Sequence, residues 1–360
     1  MSSQPAVARL GYRPALDGLR GAAVLLVLLR HLGSIDIVGA GAVGVGAFFT
    51  LSGFLITTLM LEEWADTGTV SLRAFFRRRF LRLLPALAAV LLVVVAYALA
   101  TGRMAELIGP VAAAGAYVMN YARIAGLDHS FLAHTWTLAL EEHFYLLWPV
   151  TLLLLGRHLQ RRTVAITTIG LAAASALWRM LLWLQGAEAL RLQYATDTRL
   201  DSMLIGCAAA LIFLGRRPAV PQWAGWAAVV TLGWLSVLGP QSAFMLTIGY
   251  TLLPLAAIVL VLHLMRGGGP LAEAAGWGPV VALGRISYGV YLWHYALWGM
   301  MRPFLPKDMP EPLHSFVLVA SVLLVATLSY RVIEQPFLRL KRPAPKPTTV
   351  SDERVPATVP

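Results

Sequence analysis

The sequence predicts an all-α fold, a polytopic bundle of about ten transmembrane helices plus one re-entrant or interfacial helix, with the N- and C-termini cytoplasmic. Three observations carry this. Of the 360 residues, 58% are hydrophobic and only 13% charged, with a mean hydropathy of +0.70, values far from those of a soluble domain of this length. Apolar runs long enough to cross roughly 30 Å of hydrocarbon recur from about residue 18 to residue 336. Basic residues gather in short segments between those runs, the pattern of cytoplasmic loops.

The runs fall at 16–33, 39–61, 83–101, 137–156, 163–185, 200–215, 222–239, 244–265, 279–300 and 313–336, with a weaker one at 104–121. The first lacks a small-residue cleavage site and is followed at once by a second apolar run, so it reads as a retained span and not a signal peptide. The basic segments are 73–82, 157–162, the pair Arg216-Arg217, Arg266 and 339–346. They share one side if 104–121, which contains Pro110, is re-entrant or lies in the interface. The alternative is an eleventh span. Residues 1–342 then form one membrane domain, and the polar, proline-rich 343–360 a disordered cytoplasmic tail.

Several classes drop out. Cys207 is the only cysteine, which excludes an intramolecular disulfide and a cysteine metal cage. The histidines are scattered without an HExxH spacing, so no metal site and no bound cofactor is expected. A net charge of +11 serves orientation and contact with anionic membrane lipids better than it serves nucleic acid.

Ionisable groups inside spans are costly in lipid and point to sites. Arg20 and His31 lie eleven residues apart, which returns them to nearly one helix face about 16 Å apart along the axis. That face suits a long ligand with an anionic head near Arg20 and a reactive group near His31; alternatively, both side chains snorkel. Arg79 and Arg82, at i and i+3 near the third span, form a candidate phosphate-binding pair, while Arg73, Arg77 and Arg78 read as anchors. In "HTWTLALEEHFYLLWP", Glu141 and Tyr145 lie one turn apart, shortly after His134. Glu141 could orient a histidine, and Trp136, Phe144, Tyr145 and Trp148 read partly as an interfacial aromatic belt. Arg199 and Asp201 precede a span, with Arg199 spaced to reach back to Asp197 in a functional or structural pair. Arg285, Ser287, Tyr288 and a mid-span His294 form the last cluster. With Tyr145, Arg199 and Asp201, the residues Arg285, Ser287 and His294 are candidates for a substrate pocket.

The ordered blocks "YRPALDGLRGAAVLLVLLRH", "FFTLSGFLIT", "FFRRRFLRLLP", "HTWTLALEEHFYLLWP", "TRLDSMLIGCAAA", "LGRISYGVYLWH" and "VIEQPF" make the chain resemble the acyltransferase-3 family of bacterial membrane O-acyltransferases. The resemblance covers residues 11 to 340 and is closest to the stand-alone type without a periplasmic esterase-like domain. It implies a multi-pass enzyme of the bacterial inner membrane that moves an acyl group, often acetyl, from cytoplasmic acyl-coenzyme A to a hydroxyl. The acceptor it implies is a carbohydrate, a lipid-linked sugar or a glycosylated small molecule. The family's essential arginine and histidine fall on Arg20 and His31, its RxxR pair on Arg79 and Arg82, and its glutamate before "FY" on Glu141.

These residues combine into an expected mechanism. Arg79 and Arg82 hold the phosphates of acyl-coenzyme A, the co-substrate, and the pantetheine arm runs past Arg20. His31 acts as general base or carries the acyl group, and Glu141 holds its imidazole. A transporter or flippase of acylated or sugar-bearing substrates is the rival reading, since charged groups in spans also mark transport paths.

Overall fold

The computed structural model describes residues 9–32, 37–127, 131–213, 215 and 220–340, and among them every regular element is helical. Arg216, Arg217 and the tail at 343–360 lie outside the described residues. Helix α1 is Pro14–Leu32, α2 Ala40–Thr67, α3 Leu72–Ala100, α4 Met104–Gly115, α5 Met119–Ile124, α6 Trp136–His158, α7 Arg161–Leu184 and α8 Ala189–Tyr194. There follow α9 Leu200–Phe213, α10 Gln222–Ser236, α11 Tyr250–Arg266, α12 Pro270–Ala275, α13 Gly278–Arg285, α14 Ser287–Met301, α15 Glu311–Ser329 and α16 Gln335–Arg339. A 3-10 turn at Ala133–Thr135 leads into α6, and π turns at Met245–Gly249 and Tyr330–Glu334 lead into α11 and α16.

Local chemistry explains the ends. Helix α1 begins at Pro14, whose fixed φ suits a first helical residue. Asp17 in its first turn and Arg30 and His31 in its last complement the helix dipole. Helix α2 stops at Gly68, whose left-handed φ of 73° lets its N–H reach Trp64 O. Ser71 caps α3 by accepting from Ala74 N–H.

Six stretches among the described residues are long and apolar enough to cross a membrane: α2, α3, Ala133–His158, α7, Met245–Arg266 and Glu311–Arg339. The expected ten are not all of that kind. Helix α1 has 19 residues but carries Asp17, Arg20, Arg30 and His31, while α9, α10 and α14 have 14 or 15 residues. At 1.5 Å per residue those three reach only about 21–23 Å. The run expected at 279–300 is divided between α13 and α14, which meet at Ile286. Segment 73–82, expected as a loop, is helical and opens α3.

Run 104–121 is not one helix. It divides into α4, of 12 residues, and α5. The break falls at Ala116–Val118, where Tyr117 takes a left-handed φ of 55°, and not at Pro110, which α4 accommodates. Only one α-helical hydrogen bond is forfeited at a helical proline, whereas a non-glycine residue in the left-handed region reverses the chain.

Two close crossings position the site. Glycines Gly53 on α2 and Gly206 on α9 face each other's backbone: a Cβ on Gly53 would collide with Met203 O, and one on Gly206 with Thr50 O. Gly284 on α13 lies as tightly against Asp17 O of α1. Small residues let membrane helices approach to van der Waals contact where hydrophobicity offers no drive. Replacing Gly206 with valine is expected to cost at least about 1–3 kcal/mol of stability, read as a lowered midpoint of thermal aggregation in detergent. Gly233→Val is the control, since nothing lies within 4 Å of a Cβ there.

Helix α1 packs among α2, α11, α12, α13, α14 and α15, and α2 against α6, α9, α10 and α11. Outward faces carry large apolar side chains such as Leu92, Leu177, Trp223 and Phe316, the surface that hydrocarbon solvates. The four residues read partly as an interfacial belt do not form one: Trp136, Phe144, Tyr145 and Trp148 are all buried. Phe144 stacks on Trp148, whose Nε1 donates to Thr57 Oγ1 at 2.8 Å. Helix α6 turns this aromatic face to the core and exposes the opposite one, with Leu146, Leu147 and Leu154.

Candidate active site

Two cavities lie end to end along α1. The first, of about 190 Å³, is lined by Arg20 of α1, Ser52 of α2, Arg79 and Arg82 of α3, Glu141 and Tyr145 of α6, and Ser287 of α14. The second, of about 380 Å³, holds His31 together with His134, Arg123, Gln193 and Arg199. Val45 and Tyr291 line both and form a shared wall. Tyr291 is pinned there, accepting from Thr137 Oγ1 and donating to His134 O, each at 2.8 Å. The eleven-residue separation of Arg20 and His31 thus puts one group at each end of a divided path.

In the Arg20 chamber, spacings of three and four residues turn Arg79 and Arg82, and Glu141 and Tyr145, onto common faces. Arg20 donates from Nε and Nη2 to Ser287 Oγ at 3.3 and 3.2 Å. The Arg79 guanidinium lies 3.7 Å above the Tyr145 ring, whose hydroxyl is 2.5 Å from Ser52 Oγ. Tyr288 OH donates to Leu83 O at 2.7 Å and ties α14 to the arginine-bearing helix. Glu141 interacts electrostatically with Arg79, Arg20 and Arg82. Glu334, buried in the π turn with Oε1 unbonded, interacts with Arg82 and Arg20. Three guanidiniums facing two carboxylates leave the chamber positive and suited to a phosphate.

The adjacent carboxylates are divided between faces. Glu142 turns away from Glu141 into a third cavity beside Arg77 and Tyr117.

The His31 chamber holds imidazoles of defined orientation. His31 Nδ1 donates to Val27 O at 3.0 Å, one turn back in its own helix. A carbonyl only accepts, so Nδ1 carries the proton and Nε2 is the basic nitrogen of the neutral ring. His134 Nε2 donates to Leu292 O at 3.1 Å, leaving Nδ1 buried and unbonded. Fully buried His294 donates from Nδ1 to Tyr291 O at 2.6 Å and lies behind the other two, 5.2 Å from the His31 ring and 5.0 Å from that of His134. The Tyr295 ring is 5.2 Å from His31 and 5.5 Å from His134.

Several expectations are thereby corrected. Glu141 does not hold the His31 imidazole; it stands among the arginines on the other side of the wall, and a backbone carbonyl fixes the tautomer instead. Arg199 does not pair with Asp197, which takes Arg191 Nη1 and Nη2 at 2.8 and 2.6 Å. Asp201 lines neither chamber; it is buried against Arg179 Nη2 at 2.9 Å and Thr251 Oγ1 at 2.8 Å. Arg285 is exposed and donates to Tyr12 OH at 2.8 Å, away from both chambers. Arg20, Arg79, Arg82, Glu141, Tyr145 and Ser287 converge in one chamber, and His31 and Arg199 in the other, with His294 behind it.

Sequence reasoning placed His134 in the cluster with Glu141 and Tyr145 but gave it no site role, and it missed Tyr291 and Glu334. Glu334 carried a readable signal, a carboxylate inside the apolar run "YRVIEQPF". Nothing local marked Tyr291.

No solved structure matches this chain. It is similar to the peptidoglycan O-acetyltransferase OatA of Listeria monocytogenes, 32% identical over 347 residues that cover 90% of this chain and 56% of that protein. It is also similar to the O-acetyltransferase OatA of Staphylococcus aureus, 29% identical over 349 residues that cover 90% of this chain and 57% of that one. The chain therefore spans little more than half the length of these relatives. The model of an acyltransferase domain matches residues 13–331, a stretch that contains α1, both chambers and their shared wall, and the chain accordingly belongs to the acyltransferase-3 family.

Proposed function

We propose that this chain is an inner-membrane O-acyltransferase that moves an acetyl group from acyl-coenzyme A to a hydroxyl of a carbohydrate acceptor. The observation that carries it is the pairing of an arginine chamber with a histidine chamber across Val45 and Tyr291. In this reading the arginine chamber faces the cytoplasm, as do the termini, and Arg79 and Arg82 bind phosphates of coenzyme A. Arg20, seated by Ser287, guides the pantetheine arm, and the thioester stops at the wall. Glu141 and Glu334 hold the three guanidiniums apart and in place.

His31 Nε2 takes the proton of the acceptor hydroxyl as its oxygen bonds to the thioester carbonyl carbon. The C–S bond breaks, the thiolate leaves with the electron pair, and the proton from the imidazolium completes free coenzyme A thiol. Neither oxidant nor metal enters this balance. The names of the relatives support O-acetyl transfer, and the peptidoglycan in one of them supports a glycan acceptor.

The test is thiol release from acetyl-coenzyme A by purified protein, with cell-wall glycan fragments as acceptors and products read by mass. Acceptor-dependent release with a gain of one acetyl group is expected. Arg79→Gln and Arg82→Gln should each raise KM for acetyl-coenzyme A by roughly 10- to 100-fold, the loss of a charge-assisted hydrogen bond. Acceptor movement across vesicles without any thiol release would replace this reading with transport.

A further inference from the structure

Arg199 is 1% exposed and lines the His31 chamber. Its guanidinium stacks 3.6 Å over the Tyr250 ring, while Nε and Nη1 donate to nothing. The nearby carboxylates are engaged elsewhere. Asp197 serves Arg191 and Trp178 Nε1, and Asp201 serves Arg179 and Thr251. Arg199 feels Asp201 electrostatically, yet one carboxylate between two guanidiniums leaves one positive charge over. A buried cation with unfilled donors is among the costlier arrangements in a protein unless a ligand completes it.

The chamber wall indicates the kind of ligand. Gln193, 8% exposed, lines the same cavity and leaves its Oε1 unbonded. Trp136 and Trp298 give the cavity aromatic faces, and Arg123 adds a second cation. Aromatic faces receive the C–H faces of sugar rings, an amide reads hydroxyls, and an arginine fork takes an oxyanion.

We propose that the acceptor is an anionic sugar whose carboxylate or phosphate is seated on Arg199, with a ring hydroxyl directed at His31. The inference rests on the acyltransferase reading only in calling this ligand the acceptor. Its test is equilibrium binding to the purified protein of three labelled disaccharides, alike except for a terminal hexuronate, a hexose 6-phosphate or a neutral hexose. At least one anionic probe should bind tenfold or more tightly than the neutral one, and which one does identifies the oxyanion. Arg199→Gln should bring that ratio within twofold of one, and Arg199→Lys should retain part of it.

A ratio near one in the wild type, or one unchanged in Arg199→Gln, overturns the proposal. If Arg199→Gln does not purify as a single species, the wild-type ratio together with Arg199→Lys decides. Binding needs no turnover, so a protein with the expected ratio and no thiol release from any acyl donor would sink the transferase reading alone. Turnover on a neutral sugar with a ratio of one would sink this inference alone.

Discussion

His31→Ala is expected to lower acyl transfer by about 10²–10⁴-fold, the usual contribution of a positioned general base, which corresponds to roughly 2.7–5.5 kcal/mol in the barrier. Folding should be spared. The described hydrogen bond of His31 runs to Val27 O within its own helix, and its ring packs on His294 and Tyr295 of α14, so its removal loses ring packing but no described hydrogen bond between elements. The check is thiol release at saturating acetyl-coenzyme A, beside elution profile and thermal midpoint in detergent. Turnover within threefold of wild type would remove His31 from the chemistry, and a collapsed elution profile would make its role structural.

The second large effect concerns stability. Arg179 and Asp201 are both fully buried and 2.9 Å apart, and Arg179 also donates to Thr198 O at 2.5 Å. Arg179→Met leaves the Asp201 carboxylate buried without its cation, and is expected to cost about 3–5 kcal/mol. The double variant Arg179→Met with Asp201→Leu should regain at least half of that, because no uncompensated charge remains. Thermal or urea unfolding in detergent measures both. A single variant as stable as wild type would mean that the pair is not the pin joining α7, α9 and Thr251 of α11. A double variant worse than the single would place the stability in hydrogen bonds to Thr198 and Thr251 and not in charge.

Which parts of this were legible follows from the range of each signal. The register of α1 was readable because helix periodicity alone brings Arg20 and His31 to one face. The inward turn of Glu141 away from Glu142 was readable for the same reason. The partner of Glu141 was not, since it depends on which helix packs opposite, and α3 supplies arginines where a histidine was expected. Arg199 and Asp197 are close in sequence, but Arg191 at the end of α8 reaches that carboxylate first. The break at Ile286 falls between Arg285 and Ser287, polar groups that the sequence reading took as pocket residues of one span and not as the ends of two helices. His134 enters the site through a 3-10 turn and Tyr291 through a crossing of α14, and neither carries a periodic mark.

The wall at Val45 and Tyr291 also has an electrical consequence. With the chambers reached from opposite faces, as the proposed function has them, most of the membrane voltage drops across that single layer of side chains. Moving one unit charge through 100 mV is worth about 2.3 kcal/mol, yet the proposed turnover moves none in balance. The thiolate keeps the electron pair of the C–S bond, so the acetyl group passes outward as the equivalent of an acylium cation while one proton passes inward, and the two charges cancel. Transfer through the wall is therefore electrically silent, and protein in detergent, where no voltage exists, should lose no driving force.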